Sequence, residues 1–469
     1  MTGAGRVMVL GLAAVFGVGA PSSAEELKAG VAVREITPPA NYRMSGYFSE
    51  RMSTGVHDPL KAKALVLVQG TESAALVFCD LSGIAADVSA RARASASRRT
   101  GIPAANILIA ATHSHTGPMY FGALRNHFHA STVAEHGTDV YEKIDYPSRL
   151  VEEIARAIEE AQSAARPVDL AAGVARETRL SFNRRFHMKD GGVRTNPGKQ
   201  NPDIVRAAGP IDPDVGLLIL RGAADARTLA SLTVFALHLD TVGGTEYSAD
   251  YPYYLERSLQ KNFGTQFASL FGAGTCGDIN HVDVSHGERQ KGHGEAERIG
   301  TALAETVAAA IPRLKPVAHP SLAVRSATVE APLQTYSSDE VARAQSDLSK
   351  VDDDRVPFLE RVETYKIAAL QLLGGTVLPA EVQVFRLSDD VAIVGLPGEI
   401  FVELGLAIKE ASPFETTIVV ELANDAPGYV PTRKAFAEGS YEVVNSRVAS
   451  GGGERLVERA IELFEQLKD

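Results

Sequence analysis

The chain has 469 residues, of which 45% are hydrophobic and 22% are charged. This is the composition of a globular protein with enough apolar residues for one or two large cores, and it excludes a disordered chain. The formal net charge of −11 disfavours nucleic-acid binding. Cys79 and Cys276 are the only cysteines, which excludes a disulfide-dense scaffold. We expect two buried free thiols, and a single disulfide is the alternative.

Residues 1–24 have the pattern of a signal peptide. Arg6 precedes an apolar run over residues 7–20, and small residues follow at 22–24, where a signal peptidase would cut. The run is shorter than the ~20 apolar residues that a membrane-spanning helix requires. We therefore expect a secreted or periplasmic protein without a transmembrane segment, whose mature part is one domain over residues 25–469.

Apolar runs and helical segments alternate along the first part of the chain. Such an order, with apolar runs on the strands, favours an α/β fold built from layered mixed β-sheets flanked by helices. The expected elements are strands over residues 27–36, 63–69, 74–79 and 107–110, and helices over residues 88–99 and 149–165.

The strand at 107–110 leads into His113 and His115. If the backbone stays extended there, the two imidazoles point to the same side at a spacing of about 7 Å. Such a pair can bind one metal ion, although histidines at a strand end can also simply hydrogen-bond to the backbone. The following segment, residues 119–146, is polar and without clear periodicity, which predicts a long loop over the histidines.

Other strands also end in polar residues. The predicted strand at 229–237 ends at His238, and the hairpin at 381–395 leads to Glu399, which we expect to start a helix over residues 400–410. A carboxylate at that position could alternatively serve only to cap the helix. The strand at 416–422 leads to a turn-rich loop that contains Tyr429. Residues 187–213 are rich in Gly, Pro, Asn and Asp, which predicts irregular structure.

The strand ends together predict a metal site. Two imidazoles and a carboxylate are the usual ligands of a hydrolytic zinc ion with an open position, and His113, His238, Glu399 and Tyr429 provide this set. Calcium would require mostly oxygen ligands, and no cysteine pairs are present for a closed zinc site. A polarised carbonyl also needs donors for its developing negative charge, which we assign to His115, Arg184 and Tyr441. The alternative is an ordinary set of polar strand ends.

Several motifs occur in the order found in one enzyme family. THSHTGP at 112–118 resembles the THTHSGP element of the neutral ceramidases, which are zinc-dependent hydrolases of N-acyl amide bonds. FALH at 235–238, VGLPGE at 394–399 and GYVPT at 428–432 are similar to segments of the same family. The resemblance implies that His113, His238, Glu399 and Tyr429 are zinc ligands. It also implies active-site roles for His115, Tyr441 and an arginine that matches Arg184, with Arg185 as the poorer match.

The chain departs from the family pattern at one active-site position. Where the family has NxGDVSPN with a serine, this chain has TCGDINHV, which places Asn280 at the serine position. An amide can donate a hydrogen bond to a carbonyl oxygen but cannot replace the proton-handling of a hydroxyl group. Water activated by zinc is therefore the expected nucleophile. The chain also ends soon after the last motif, so we expect no counterpart of the family's C-terminal immunoglobulin-like domain.

These observations predict a zinc-dependent amidase of the neutral-ceramidase type, acting on a lipid-like or small N-acyl substrate that need not be ceramide. Two alternatives remain open. One is a metal-dependent hydrolase of an ester or glycoconjugate linkage, and the other is a metal-holding binding protein without catalytic activity. The sequence does not determine the oligomeric state.

Overall fold

A computed structural model describes residues 1–3, 5, 25–351 and 353–468. Residues 6–24, which form most of the predicted signal peptide, lie outside the described residues. Within the described part of the chain, no helix combines the length and the apolar character needed to cross a bilayer.

The described residues form 22 strands. In chain order these are β1 (Leu27–Glu35), β2 (Gly55–Val56), β3 (Lys61–Gln69), β4 (Glu72–Cys79), β5 (Ile107–Ala111), β6 (Arg166–Arg176), β7 (Phe182–Asn183), β8 (Arg185–Met188), β9 (Val193–Thr195), β10 (Ile204–Ala207), β11 (Asp214–Gly222), β12 (Thr228–Phe235), β13 (Glu246–Tyr247), β14 (Ala268–Ala273), β15 (Ile279–Asn280), β16 (Lys315–Pro316), β17 (Ala323–Pro332), β18 (Val377–Ser388), β19 (Val391–Gly395), β20 (Glu399–Ile400), β21 (Thr416–Val420) and β22 (Tyr429–Val430).

Eleven α-helices accompany them in the same residues. They are α1 (Ala86–Thr100), α2 (Gly122–His136), α3 (Tyr146–Ser163), α4 (Tyr251–Phe263), α5 (His293–Ala310), α6 (Ser338–Asp347), α7 (Phe358–Leu373), α8 (Val402–Ala411), α9 (Arg433–Glu438), α10 (Tyr441–Asn445) and α11 (Gly452–Lys468).

Two mixed sheets form the centre of the molecule. The larger sheet has the strand order β14-β12-β11-β6-β1-β3-β4-β5, with β16 paired to β6, and the smaller sheet has the order β17-β18-β19-β21. One face of the large sheet packs on the small sheet, for example through Phe78 and Leu232 against Phe385 and Ile418. This arrangement confirms the predicted α/β fold of layered mixed sheets.

Helices cover both outer faces. Helices α1 and α3 cover one half of the large sheet and α4 and α5 cover the other half, while α8 and α11 lie on the small sheet. Because strand side chains alternate in direction, Leu76 and Phe78 of β4 face the small sheet, whereas Ala75 and Val77 face the helices. Both faces of the large sheet are therefore buried, which explains its nearly continuous apolar strands.

The prediction of a loop over residues 119–146 is wrong for its central part, which forms helix α2. The helix buries Leu124, Phe128 and Thr132, which are spaced four residues apart and share one face. Its many histidines and polar residues hide this short apolar stripe in the sequence. Gly122 is its first residue, with φ +91°, and Gly137 follows its last residue, with φ +78°.

Two further predictions are corrected. Glu399 does not start a helix: it lies in β20, and α8 begins three residues later at Val402. Glu399 therefore has no role as the cap of that helix. The segment 187–213 is not irregular throughout, because β8, β9 and β10 form a small three-stranded sheet there. Turn residues separate these short strands and dominate the amino-acid composition of the segment. The strands are therefore not recognisable from the sequence.

Arg43 anchors the segment that contains α2. Its side chain is fully buried, and its guanidinium group contacts the carboxylates of Glu50, Asp139 and Glu142. It also donates to the hydroxyl of Thr132 at 2.7 Å, within α2. A buried arginine with this many partners fixes the helix against the rest of the fold.

We predict that Arg43→Leu lowers the free energy of unfolding by about 3–5 kcal/mol, because it leaves Asp139 and Glu142 buried with fewer cationic partners. Urea denaturation measures this change. Arg34→Leu is the control, since Arg34 is 31% exposed and pairs with Glu153 and Glu160 at the surface, where ion pairs contribute at most about 1 kcal/mol. Equal losses in the two variants would contradict the anchoring role of Arg43.

Candidate metal and active site

His113 lies two residues beyond the end of β5, at a turn of the backbone. Its φ is +80°, a conformation that is rare for residues other than glycine and is concentrated at functional sites. The expectation of an extended backbone is therefore wrong. The turn nevertheless brings the imidazoles together, and the Nε2 atoms of His113 and His115 lie 3.3 Å apart.

His238 meets His113 from the end of β12. The Nε2 atoms of the two rings are 2.9 Å apart, and both rings are buried. On its other side each ring is held by a backbone carbonyl: Nδ1 of His113 donates to the oxygen of Ser82 at 2.8 Å, and Nδ1 of His238 donates to the oxygen of Cys276 at 3.1 Å. With Nδ1 protonated, each neutral ring presents the lone pair of Nε2 toward the other ring.

Glu399 reaches the histidines from the opposite side, and Tyr429 lies beside Glu399. They are direct partners in the parallel pair formed by β20 and β22. Oε2 of Glu399 lies 3.4 Å from Nε2 of His113 and 3.7 Å from Nε2 of His238. The strand pairing thus places Tyr429 beside the residue whose carboxylate lies next to two imidazoles.

These atoms fit a zinc ion. Zinc–nitrogen bonds of about 2.0–2.1 Å in a tetrahedron separate the ligand atoms by about 3.3 Å, and the separations among His113, His238 and Glu399 range from 2.9 to 3.7 Å. Oε2 of Glu399 is buried and has no hydrogen-bond partner among the described residues. A buried carboxylate oxygen that faces two imidazole lone pairs requires a cation.

The pKa shifts agree with a need for positive charge. Burial opposes ionisation of Glu399, but His113 lowers the pKa of its carboxyl group well below the usual range. Burial lowers the pKa of His113, whereas the Glu399 carboxylate raises it, and the net shift is upward. Burial and the neighbouring His113 lower the pKa of His238 and bring that of His115 to about 3. Without a metal, the cluster thus favours a single protonated imidazole, His113.

Arg184 lies directly behind Tyr429. Its Nη2 donates to the Tyr429 hydroxyl at 3.1 Å and to the oxygen of Gly277 at 2.7 Å, while Nε donates to the buried carboxylate of Glu442 at 2.8 Å. The guanidinium group therefore fixes the Tyr429 phenol and brings positive charge to the site. Burial raises the pKa of Tyr429 well above its ordinary value.

Tyr441 borders the same site. Its ring lies 5.5 Å from that of Tyr429, and Nδ2 of Asn445 donates to its hydroxyl at 3.3 Å. Burial, followed by the nearby Glu399 carboxylate, raises its pKa to about 12. The hydroxyl group is therefore protonated near neutral pH and can donate a hydrogen bond.

Asn280 is engaged elsewhere. Its amide donates to Oδ1 of Asn196 at 2.9 Å and accepts from the backbone N–H of Val282 at 3.0 Å. Among the described residues it does not belong to the wall of the cavity next to the histidines. The structure thus brings together His113, His115, His238, Glu399, Tyr429, Arg184 and Tyr441, whereas the side-chain hydrogen bonds of Asn280 are made to Asn196 and Val282.

A cavity of about 520 Å³ opens beside the cluster, a volume typical of ligand pockets. Its wall includes His113, His115, Glu399, Tyr429 and Tyr441. The remainder of the wall is largely apolar and includes Phe48, Met119, Phe121, Leu124, Leu372 and Leu373. Helix α2, which the sequence did not predict, therefore supplies part of this wall.

Two other groups of histidines and carboxylates are less suited to a metal ion. The rings of His57 and His293 are stacked with centroids 3.6 Å apart and planes 13° apart, so their in-plane lone pairs run side by side and do not converge. His129 lies near Asp139 and Glu142, whose carboxylates already pair with arginines. The cluster at His113 is different because no arginine or lysine among the described residues pairs with Oε2 of Glu399.

The sequence did not reveal the groups that orient the candidate ligands through hydrogen bonds. The carbonyls of Ser82 and Cys276 orient the two imidazoles, and backbone carbonyls leave no signature in a sequence. Glu421 was also missed. It follows the apolar strand β21 and is fully buried, and a carboxylate at the end of an apolar run is the one signal that could have identified it.

Comparison with known proteins identifies the family. The family model of the N-terminal domain of neutral/alkaline non-lysosomal ceramidases matches residues 27–280. Among solved structures, the neutral ceramidase from Pseudomonas aeruginosa is similar with a TM-score of 0.71 and 20% sequence identity, over 95% of this chain and 75% of that chain. A ceramidase complexed with C2 is similar with a TM-score of 0.70 and 19% identity, over 94% of this chain and 76% of that chain. The search among curated proteins found no match.

The match to the family model covers more than half of the chain. The chain therefore belongs to the neutral/alkaline non-lysosomal ceramidase family and is a ceramidase-like hydrolase. The two solved structures share its fold.

We predict that the protein binds about one zinc ion and that Glu399→Ala weakens this binding by more than about 100-fold. The loss of a residue that only orients a metal ligand already lowers metal affinity by about 10–100-fold. Competition with a chromophoric chelator measures the affinity. Glu403→Ala is the control, because Glu403 lies in α8 and pairs with Lys434. Equal affinity in the two variants would rule out Glu399 as a ligand.

Proposed function

We propose that the mature chain, residues 25–469, is an exported zinc-dependent amidase, secreted or periplasmic, that hydrolyses the N-acyl bond of a lipid-like substrate. The observation that carries this proposal is the convergence of Nε2 of His113, Nε2 of His238 and Oε2 of Glu399 at the wall of an apolar cavity. Within the described part of the chain, this Oε2 has no hydrogen-bond partner. Family membership supports the amide bond as the target.

Some residues of the site would bind the metal, and others would orient the substrate. His113, His238, Glu399 and Tyr429 would hold the ion. When bound, zinc supplies a Lewis acid and lowers the pKa of water to about 7. Arg184 holds Tyr429 in place, and its positive charge favours negative charge developing nearby.

His115 and Tyr441 complete the proposed machinery. The Tyr441 hydroxyl accepts from Asn445, which leaves its own proton free to donate toward the cavity. His115 is half-buried and neutral near pH 7, so one ring nitrogen can donate and the other can accept. Asn280 would contribute to catalysis only indirectly, by holding the side chain of Asn196.

The cavity favours an acyl chain as the part of the substrate that lies beside the metal. Its apolar residues come from three parts of the chain. Phe48 precedes β2, Met119 and Phe121 precede α2, and Leu372 and Leu373 end α7. Leu372 and Leu373 are 55% and 43% exposed and line the cavity at its open side. An apolar wall of this kind stabilises methylene groups by about 0.8 kcal/mol each.

A substrate panel tests the proposal. Zinc-loaded protein should release fatty acid from N-acyl lipids, including ceramides, faster than it hydrolyses N-acyl amino acids with short chains, and His113→Ala should be inactive on both. Cleavage of an ester or glycoconjugate panel without amide cleavage would favour the alternative hydrolase. Binding of zinc without turnover of any panel would favour a non-catalytic metal-holding protein.

We predict that Tyr441→Phe lowers kcat by about 10²–10³-fold with little change in bound zinc, because a donor to a developing oxyanion contributes about this much. Steady-state kinetics and zinc analysis of the same sample provide the two values. Tyr365→Phe is the matched control: its hydroxyl accepts from Arg447 at 2.7 Å on the wall of the same cavity. Full activity of Tyr441→Phe would remove this residue from the mechanism.

A further inference from the structure

Glu421 lies beneath the candidate metal site and touches both halves of it. The side chain is fully buried at the end of β21. Its Oε2 accepts from the backbone N–H of Cys276 at 3.0 Å and from the backbone N–H of Ile400 at 2.8 Å. Its Oε1 accepts from the thiol of Cys276 at 3.0 Å. One carboxylate thus joins two segments that are distant in the sequence.

Each of these two segments holds a candidate ligand. The oxygen of Cys276 orients His238 through Nδ1, and the oxygen of the next residue, Gly277, accepts from Arg184. On the other side, Ile400 immediately follows Glu399 in β20. A shift of either segment would therefore change the distance between the His238 imidazole and the Glu399 carboxylate.

The two segments are in close backbone contact, so small changes at Glu421 would be transmitted. A Cβ atom placed on Gly277 would lie 2.5 Å from the oxygen of Glu399. The N–H of Gly277 donates to the oxygen of Ile400 at 2.9 Å. Without Glu421, this bond would remain, together with the one that Oδ1 of Asp278 accepts from the N–H of Val402 at 2.9 Å.

We propose that Glu421 is a positioning residue that sets the zinc affinity of the site by fixing the segment of Cys276 and Gly277 against that of Glu399 and Ile400. This inference rests on the zinc site of the proposed function and not on its hydrolytic activity. Outer partners that orient metal ligands typically contribute 10–100-fold to metal affinity. Glu421 differs from them in that it acts on two ligands at once through the backbone.

The zinc affinities of three variants test the proposal. Chelator competition measures the affinity, and thermal unfolding of the metal-free proteins measures the stability. Glu421→Leu removes both acceptor oxygens, and we expect zinc binding 10–100-fold weaker than in the wild type. Glu421→Gln keeps one oxygen that can accept from Cys276 and Ile400, and we expect binding within about threefold of the wild type. Glu177→Leu is the control, because Glu177 is also a buried carboxylate and accepts from Arg179 and Thr306.

A purely structural role for Glu421 predicts a different result. Glu421→Leu would then lose stability, as we expect for Glu177→Leu, but would bind zinc as tightly as the wild type. That result would overturn the inference. If the leucine variant does not fold, Glu421→Asp decides by the same criterion, because its side chain is one methylene shorter and cannot reach both segments. Normal zinc binding by the wild type without hydrolysis would refute the proposed function and leave this inference standing.

Discussion

The site depends on a buried carboxylate oxygen that receives no hydrogen bond from the residues that the structure describes. Oε2 of Glu399 faces Nε2 of His113 and Nε2 of His238, and three electron-rich atoms at such distances are unfavourable without a cation between them. The surrounding fold keeps them there. Backbone carbonyls fix both imidazoles, and the pairing of β20 with β22 fixes the carboxylate beside Tyr429.

The layered architecture explains why these groups can meet. Strands β5 and β12 belong to the large sheet, whereas β19 and β21 of the small sheet lead toward β20 and β22. Because the two sheets pack face to face, loops that leave both sheets at the same end converge. The site therefore takes one pair of proposed ligands from the side of each sheet. Helix α2, anchored by Arg43 through Thr132, lies beside this convergence and closes part of the cavity.

Much of this arrangement could be predicted from the sequence. Apolar runs identified the main strands, and the polar residues that follow those strands, namely His113, His238 and Glu399, indicated where the candidate site lies. Three features could not be predicted. The left-handed turn at His113 is imposed by its tertiary contacts and not by its residue type. The helical pattern of α2 is masked by polar residues, and the contacts of Glu421 join segments that are far apart in the chain.

Diffraction from zinc-soaked crystals, recorded on both sides of the zinc absorption edge, tests the central claim most directly. The account predicts one strong anomalous peak within about 2.0–2.2 Å of Nε2 of His113, Nε2 of His238 and Oε2 of Glu399. A zinc peak at the His57 and His293 pair, or at the group around His129, with none between His113 and Glu399, would contradict it.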